Sequence, residues 1–368
     1  MKILYGAVGE GLGHATRSLV VAQHLMNQGH SVRMAASGRA LPYLREHVSD
    51  VDEIWGLEFV LDQGQVRMLR TMSANVRGAV HGVPVNVRAA VDVARSYGAD
   101  LVITDFDGFA YACAKVERIP VLSIDNIQMV DRCKHDAEIL KGIRRDYMTA
   151  RAFVGSKLPR ADHYLIATFF YPPLRKKRTT LVPPILRPEI VSAEPQTGEA
   201  LLVYGRLGNA AMTALKKTGV PCLVYGARDG LVDDEEEDNL VFRPFSNQAF
   251  VDDLRTCRGV VASAGFSLMS EVVFLRKPML AVPLAHQFEQ EMNARYLERL
   301  GYGMRADTVD GSSLERFLAA MGDHAESLAG YEQTGNEEAL AAIDQAIDDV
   351  FARRAARRRY NLRRAASA

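Results

Sequence analysis

The stretch "VVASAGFSLMSEVVFLRKPMLAVPLAHQFEQEMNARYLERLGYG" (residues 260–303) decides the fold of this chain. An apolar run typical of a buried strand leads into Ser263–Ala264–Gly265, and a helical pattern begins at Phe266–Ser267. Free N–H groups at such a helix start bind anions, and the glycine lets a ligand come close, so the turn predicts a diphosphate site. Glu271 follows about a turn and a half along the helix, where its carboxylate is expected to bind ribose hydroxyls.

A group of polar side chains follows the next predicted strand, which ends at Pro283. Several hydrogen-bond donors and acceptors at one strand end are what a polyhydroxylated ligand requires. The polar residues of this group are Gln287, Glu289, Gln290 and Asn293.

Strands alternate with helices along both halves of the chain. Each half begins with a strand, a glycine turn and a helix: "KILYGAV" leads into residues 9–13, and "EALLVY" leads into Gly205–Arg206. Alternation of this kind indicates parallel sheets with crossover helices. We expect two doubly wound α/β domains, residues 1–185 and 186–335, that face each other across a cleft. Residues 336–368 are predicted to form a C-terminal helix that packs back towards the N-terminal domain.

Three segments depart from this alternation. Residues 169–190 contain five prolines, which interrupt helices and inner strands, so this segment is predicted to be a linker. The acidic run "DDEEED" (233–238) is predicted to be a solvated loop, with a metal site as the alternative. Residues 62–98 show weak periodicity and are predicted to form helices and loops that face a ligand.

The opening turn, "GEGLGHATRS" (residues 9–18), poses a choice between cofactor binding and catalysis. A dinucleotide fingerprint needs a third glycine, and an acidic residue at the end of the second strand. Here His14 takes the third glycine position, and the second strand ends at Ala36–Ser37–Gly38 without a carboxylate, which excludes NAD and FAD. A helix N-terminus lowers the pKa of an imidazole, so His14 is predicted to stay neutral and to accept a proton. The alternative is a capping histidine without a catalytic role.

Two aspartates, Asp105 and Asp107, lie in "TDFDG" at the end of a predicted parallel strand, where open α/β sheets bind ligands. Three roles are open to them. They could chelate a divalent metal, one of them could orient His14 and stabilise its protonated form, or one could cap the next helix.

Together these motifs resemble the donor-binding signature of GT-B glycosyltransferases, which have two Rossmann-like domains and use nucleotide sugars. In plant and antibiotic glycosyltransferases the signature is a glycine, a glutamate six residues later, and an acidic residue followed by Gln shortly before Asn–Ala. The matching residues here are Gly265, Glu271, Glu289–Gln290 and Asn293–Ala294. The opening turn is similar to the N-terminal loop of the same superfamily, including the enzyme that adds N-acetylglucosamine to the lipid-linked peptidoglycan precursor. Almost the whole chain resembles a bacterial and archaeal branch of this superfamily.

The resemblance implies a role for each motif. His14 would be the base that deprotonates the acceptor hydroxyl, with Asp105 or Asp107 behind it. Glu271 would bind the ribose, and the polar group after Pro283 would contact the donor sugar. The residues that would hold the rest of the nucleotide are Gly11, Gly13, Gly205, Arg206, Phe245, Ser263, Ala264, Gly265, Phe266 and Ser267.

The reaction implied is an inverting displacement that needs no metal and no cofactor, with a UDP-sugar as the expected donor and a lipid-linked or small-molecule hydroxyl as acceptor. Ser263 stands where many relatives have a phosphate-binding histidine, so Arg206 or backbone groups are expected to replace it. The alternatives are a sugar-nucleotide epimerase of the same fold and a non-catalytic protein that binds sugar nucleotides.

The composition excludes a general nucleic-acid binder, because 45 Lys and Arg balance 45 Asp and Glu. Four widely spaced cysteines fit reduced thiols in a cytoplasmic protein. No apolar stretch approaches the roughly 18 residues of a membrane span. Seven arginines follow residue 350. They either complement the dipole of a helix end or contact anionic lipid at the inner membrane surface.

Overall fold

The computed structural model describes two sheets of seven strands, each covered by helices. The described residues are 1–9, 12–54, 61–62, 65–66, 93, 95–285 and 287–366. Most of the segment 62–98, predicted to face a ligand, lies outside the described residues.

The strands of the N-terminal sheet all run parallel. In chain order the strands of this half are β1 (Lys2–Ala7), β2 (Ser31–Ala36), β3 (Val51–Glu53), a separate hairpin of β4 (Leu61–Asp62) and β5 (Gln65–Val66), then β6 (Leu101–Asp105), β7 (Val121–Asp125), β8 (His163–Ala167) and β9 (Thr179–Val182). Across the sheet the order is β3-β2-β1-β6-β7-β8-β9, so the order reverses at β1. Inner strands such as β6, "LVITD", are buried along their length, as parallel strands covered on both faces should be.

Among the described residues, six helices cover this sheet or lead out of it. They are α1 (Leu12–Asn27), α2 (Ala40–His47), α3 (Gly108–Glu117), α4 (Met129–Arg132), α5 (Arg144–Lys157) and α6 (Pro188–Val191).

The C-terminal sheet is parallel except for one edge strand. Its strands are β10 (Leu201–Tyr204), β11 (Cys222–Tyr225), β12 (Glu235–Glu237), β13 (Leu240–Arg243), β14 (Gly259–Ala262), β15 (Met279–Ala281) and β16 (Gly303–Arg305), in the order β12-β13-β11-β10-β14-β15-β16. The helices are α7 (Asn209–Thr218), α8 (Asn247–Thr256), α9 (Phe266–Phe274), α10 (Phe288–Arg299) and α11 (Gly311–Ala329). The prediction of two doubly wound α/β domains is confirmed.

The prediction that residues 169–190 form a linker is wrong for the middle of this segment. Residues Thr179–Val182 form β9, the edge strand of the N-terminal sheet, and proline pairs lie on both sides of it. An edge strand pairs along one side only, so prolines next to it cost no inner ladder hydrogen bonds. The predicted domain boundary after residue 185 falls between β9 and β10.

The acidic run also differs from the prediction of a loop. Glu235–Glu237 form β12, an exposed antiparallel edge strand, and Arg228 makes ion pairs with Glu235 and Glu237. Charged side chains on an edge strand discourage pairing with another sheet.

The C-terminal helix α12 (Glu337–Ala366) returns to the N-terminal half. It packs near β8 and β9, and Asp344 accepts a hydrogen bond from His24 of α1 at 3.0 Å. Within the described part of the chain, no helix has the length and apolar character needed to cross a bilayer. All four cysteines are free and buried.

The switch points of the two sheets lie close to each other, on the two sides of the predicted cleft. The order of the first sheet reverses at β1 and that of the second at β10, and open α/β sheets bind ligands beyond the carboxyl ends of such strands. Helix α1 of the first half contacts helix α9 of the second. The region where α1 meets α9, called the cleft below, is therefore the candidate position for a site.

Candidate functional site

A histidine–aspartate pair lies at the switch point of the N-terminal sheet. His14 is in the first turn of α1, and its Nδ1 lies 2.9 Å from Oδ1 of Asp105, the last residue of β6. A carboxylate only accepts hydrogen bonds, so Nδ1 carries the proton and Nε2 is the nitrogen free to accept one. This is the arrangement of a general base and the group that orients it.

Arg17 binds the same carboxylate beside His14. Its Nη2 lies 2.7 Å from Oδ1 and 2.8 Å from Oδ2 of Asp105, and its Nε lies 3.0 Å from Oδ2. Asp105 is fully buried and Arg17 is 4% exposed. A buried, forked ion pair of this kind fixes the orientation of the carboxylate, and so the position of His14.

The electrostatics of this trio differ from the sequence prediction. Burial lowers the pKa of His14, but the Asp105 carboxylate raises it by more, and the resulting pKa lies above the ordinary 6.5. The prediction of a lowered pKa from the helix N-terminus is therefore wrong, because a charge at hydrogen-bond distance outweighs the dipole. Burial raises the pKa of Asp105, yet Arg17 and His14 hold it below its usual range.

The second aspartate of "TDFDG" has a different place. Oδ1 of Asp107 accepts a hydrogen bond from the Ala110 N–H at 2.8 Å, and Asp107 is the N-cap of α3. Of the three roles left open for the two aspartates, the geometry gives Asp105 contact with His14 and Asp107 the helix cap. Among the described residues, no group of three or more His, Cys, Asp or Glu side chains could hold a metal ion.

Replacing Asp107 by Ala should therefore affect stability and leave catalysis nearly intact. Loss of an N-cap side chain costs about 0.5–2 kcal/mol of unfolding free energy. Asp107→Asn is the matched control, because an asparagine oxygen caps a helix about as well. Chemical denaturation of both variants measures the difference. Equal stability of the two would show that the cap contributes nothing.

The glycine turn brings the two halves of the molecule into contact. A Cβ on Gly13 would lie 2.2 Å from Oγ of Ser267 at the start of α9, and a Cβ on Gly9 would lie 2.3 Å from the carbonyl oxygen of Ser37. The glycines therefore permit close approach, as the sequence predicts. The third predicted glycine, Gly11, lies outside the described residues.

Helix α9 begins without a side-chain cap. Its N-cap residue is Gly265, and no side chain in the described ranges accepts from the first N–H groups of the helix. A Cβ on Gly265 would meet nothing within 4 Å, so space is open beside these N–H groups. Phe266 and Ser267 are the first residues of the helix, and Ser263 and Ala264 precede the cap. These are the residues predicted to hold a diphosphate.

The predicted ribose ligand, Glu271, makes a buried ion pair with Arg187. Nη2 of Arg187 lies 2.8 Å from Oε2 of Glu271, and Nε lies 2.7 Å from Oε1. The two side chains are 10% and 9% exposed. Burial raises the pKa of Glu271 and Arg187 opposes this, with a raised pKa as the result.

The polar group at the start of α10 divides into two parts. Oε1 of Gln290 accepts from the Leu284 N–H at 3.0 Å, and Nε2 of Gln290 donates to Oε1 of Gln287 at 2.8 Å. These two glutamines therefore fix the loop that leads into the helix.

Glu289 and Asn293 lie on the side of α10 that meets the N-terminal half. Nδ2 of Asn293 lies 3.3 Å from Oε1 of Glu289 and 3.3 Å from the carbonyl oxygen of Ala264. Burial raises the pKa of Glu289, and the charges of His14 and Arg17 act against this rise. A carboxylate from the donor half thus lies in the electrostatic reach of the candidate base.

An aromatic group lies at the carboxyl ends of β10, β11 and β13. The ring centres of Tyr204 and Tyr225 each lie 6.5 Å from that of Phe245 and 5.2 Å from that of Phe250. Phe245 is 53% exposed, although it packs on this group. An exposed ring on a fixed aromatic support is suited to stacking on a nucleobase.

The second glycine loop lies beside α7 and not beside the start of α9. Gly205 has a φ of 105°, which glycine adopts without strain, and Arg206 pairs with Asp229. Arg206 lines a cavity of about 420 Å³ together with residues of α7. The arrangement gives Arg206 no contact with the start of α9 among the described hydrogen bonds and ion pairs.

The two arginines of the site are not among the residues predicted from the sequence. Arg17 follows His14 by three residues, so helical periodicity alone puts it on the same face of α1. Arg187 lies in the proline-rich segment "VPPILRPEI", where no local pattern marks its partner 84 residues away.

Comparisons with known proteins agree with this architecture. The model of glycosyl transferase family 1 matches residues 1–322. An uncharacterized glycosyltransferase of Methanosarcina acetivorans is 23% identical over 334 residues, which cover 82% of this chain and 85% of the relative. The UDP-N-acetylglucosamine--N-acetylmuramyl-(pentapeptide) pyrophosphoryl-undecaprenol N-acetylglucosamine transferase 3 of Bacillus cereus is 33% identical over 103 residues, 25% of this chain and 28% of the relative.

Among solved structures, UGT2 of Phytolacca americana, complexed with UDP-2fluoro-glucose and pterostilbene, has a TM-score of 0.65 to this chain at 14% identity. The match covers 94% of this chain and 98% of that chain. The likeness confirms the GT-B fold that the sequence predicts.

Proposed function

This chain belongs to glycosyl transferase family 1 and is a glycosyltransferase, and on that premise we propose that it transfers a sugar from a nucleoside-diphosphate donor to a hydroxyl acceptor. A UDP-sugar is the proposed donor, because the similar UGT2 of Phytolacca americana is complexed with UDP-2fluoro-glucose and the Bacillus cereus relative is a transferase of N-acetylglucosamine from UDP-N-acetylglucosamine. The proposed displacement inverts the anomeric configuration and proceeds without a metal ion.

One observation carries the proposal. The His14–Asp105 pair belongs to the N-terminal half, the uncapped start of α9 belongs to the C-terminal half, and Gly13 touches Ser267 between them. A base and an anion site from two domains therefore meet at one cleft. A transferase needs both, since it must deprotonate one substrate and stabilise the leaving group of the other.

The proposed reaction follows from these groups. Nε2 of His14 takes the proton of the acceptor hydroxyl, and the oxygen attacks the anomeric carbon of the donor sugar. The bond between that carbon and the diphosphate oxygen breaks, and the leaving diphosphate takes the electron pair. N–H groups at the start of α9 stabilise the negative charge that grows on it. Asp105 stabilises the imidazolium that forms.

Nucleotide binding tests the donor half separately from catalysis. Stacking of a base on an aromatic side chain contributes about 1–3 kcal/mol, so Phe245→Ala should weaken UDP binding by roughly 5- to 150-fold. Phe153→Ala is the matched control, because Phe153 is 56% exposed on α5, in the other half of the molecule. Calorimetric titration with UDP, dTDP and GDP measures the affinities and identifies the preferred base.

The outcomes separate the proposal from its competitors. Binding of one nucleoside diphosphate that Phe245→Ala weakens and Phe153→Ala leaves unchanged supports the donor site. Absence of binding by all three would contradict it. Product analysis without an acceptor then distinguishes the classes, because an epimerase still converts the sugar whereas a transferase gives at most slow hydrolysis.

A further inference from the structure

A second cavity lies at the edge of the N-terminal sheet opposite the His14 site, with a volume of about 490 Å³. Its walls come from the segments just before β7, β8 and β9 and from α12. Asp105 is at the carboxyl end of β6, so the length of a strand, roughly 15 Å, separates the two edges. The cavity is therefore distinct from the proposed catalytic cleft.

The cavity is lined by arginines for which the described residues provide no ion-pair partner. Arg118, Arg160 and Arg178 come from the segments before the strands, and Arg354 and Arg357 come from α12. In the described part of the chain none of the five makes an ion pair, and Arg354 donates to the carbonyl oxygen of Arg118 at 2.7 Å.

One lining arginine is buried. Arg132 is 6% exposed, its Nε donates to Oγ1 of Thr179 at 2.7 Å, and its Nη2 donates to the carbonyl oxygen of Lys177 at 2.6 Å. Its guanidinium carbon lies 3.5 Å from the ring centre of Tyr164. Among the described residues no side chain accepts from Nη1, and no carboxylate lies within ion-pair distance of this guanidinium, although Tyr164 and the charges of Asp131 and Asp125 act on it. Nη1 is therefore available to donate to a ligand in the cavity.

The cations of the cavity also repel each other. Burial lowers the pKa of the Lys115 ammonium, Asp162 raises it, and Arg354 and Arg160 lower it again, so that the pKa ends below its ordinary value. Asp162 is the one carboxylate among the described lining residues, and its Oδ2 already accepts from the Val121 N–H at 3.0 Å. A bound anion would relieve this repulsion.

We propose that this cavity binds a phosphate or diphosphate group. Guanidinium forks match phosphate oxygens in geometry and charge, and the volume lies within the range of about 300–1,000 Å³ typical of ligand sites. Arginines of the N-terminal half and of α12 would hold the same group. A phosphate bound there ties α12 to the sheet. The group belongs either to a soluble phosphate compound or to a lipid headgroup.

Titration with inorganic pyrophosphate tests the proposal on the full-length protein. Arg357→Gln should weaken binding about tenfold, because it removes a charge-assisted contact. Arg359→Gln is the control, since Arg359 is exposed on the same helix two residues away and does not line the cavity. The donor site can also take up a diphosphate, but it is the same in both variants, so the difference between them reports the cavity alone. Arg160→Gln repeats the test from the opposite wall.

Sedimentation with phosphatidylcholine vesicles, with and without phosphatidylglycerol, distinguishes a lipid headgroup from a soluble phosphate compound as the source of the bound group. If Arg357→Gln weakens pyrophosphate binding and also loses binding to the anionic vesicles while Arg359→Gln keeps it, the ligand is a lipid headgroup. If only pyrophosphate binding distinguishes the variants, the ligand is a soluble phosphate compound. If Arg357→Gln and Arg359→Gln bind pyrophosphate with equal affinity, the proposal is wrong.

Discussion

Replacing His14 by Ala is expected to lower the turnover number by about 10²- to 10⁴-fold, which is the usual contribution of a general base. Nδ1 of His14 is bound to a buried, ionised aspartate, so Nε2 is the atom that takes the acceptor proton. Donor affinity should remain close to that of the wild type, because the start of α9, Glu271 and Phe245, which are proposed to bind the diphosphate, the ribose and the base, belong to the other half of the molecule. Steady-state kinetics with a saturating donor, together with calorimetric titration of UDP, measures both quantities.

A second histidine on the same helix provides the control. His24 also lies on α1 and makes a hydrogen bond to an aspartate, Asp344 of α12, but it is remote from the cleft. His24→Ala should keep full turnover. If His14→Ala loses donor affinity and keeps its turnover per bound donor, His14 is a binding residue and the proposed mechanism is wrong.

The pH profile gives an independent test of the same residue. A protonated imidazole cannot accept the acceptor proton, so kcat/KM should fall as pH decreases through the pKa of His14. Burial lowers that pKa and Asp105 raises it by more, which puts it above 6.5. The wild-type enzyme should therefore lose activity on the acidic side of a midpoint above 6.5. In His14→Ala the residual rate should no longer show this limb.

The histidine–aspartate pair could be predicted from the sequence because each residue lies in a local motif. His14 follows a strand and a glycine turn, and Asp105 ends another strand. Neighbouring parallel strands bring their carboxyl ends to one sheet edge, so the two residues had to lie close together. The periodicity of strands and helices gave the two-domain fold in the same way.

Features that depend on contacts distant in sequence could not be predicted. Arg17 binds the carboxylate of Asp105, 88 residues away. The negative charge of Asp105 raises the pKa of His14, which reverses the expected direction of its shift. The proline pairs on both sides of β9 indicated a linker, although prolines are also tolerated next to an edge strand. Edge strands pair on one side only, so the sequence pattern that predicts a strand is weaker in them.

The ion pair between the linker and the donor domain is the other place where a single substitution should have a large effect. Arg187→Met is expected to lower the free energy of unfolding by about 3–5 kcal/mol, since it leaves the Glu271 carboxylate buried without its partner. Without Arg187 the pKa of Glu271 should rise further, because burial and the charge of Glu189, which both raise it, then act unopposed. The variant should therefore regain stability as pH falls and Glu271 takes up a proton. Urea denaturation at several pH values measures this.

A paired variant separates the structural role of Glu271 from its proposed role in ribose binding. Buried ion pairs can often be exchanged for apolar pairs of similar volume at little cost, so Arg187→Met with Glu271→Leu should recover most of the stability that Arg187→Met loses. If Glu271 also binds the ribose, this stable double variant should still bind UDP about 10- to 150-fold more weakly, because a hydrogen bond to a charged group is gone. A carboxylate has enough lone pairs to accept from Arg187 and from ribose hydroxyls together, so the two roles are compatible. Recovery of both stability and UDP affinity would limit Glu271 to holding the linker against α9, and the ribose contact would then have to come from another residue.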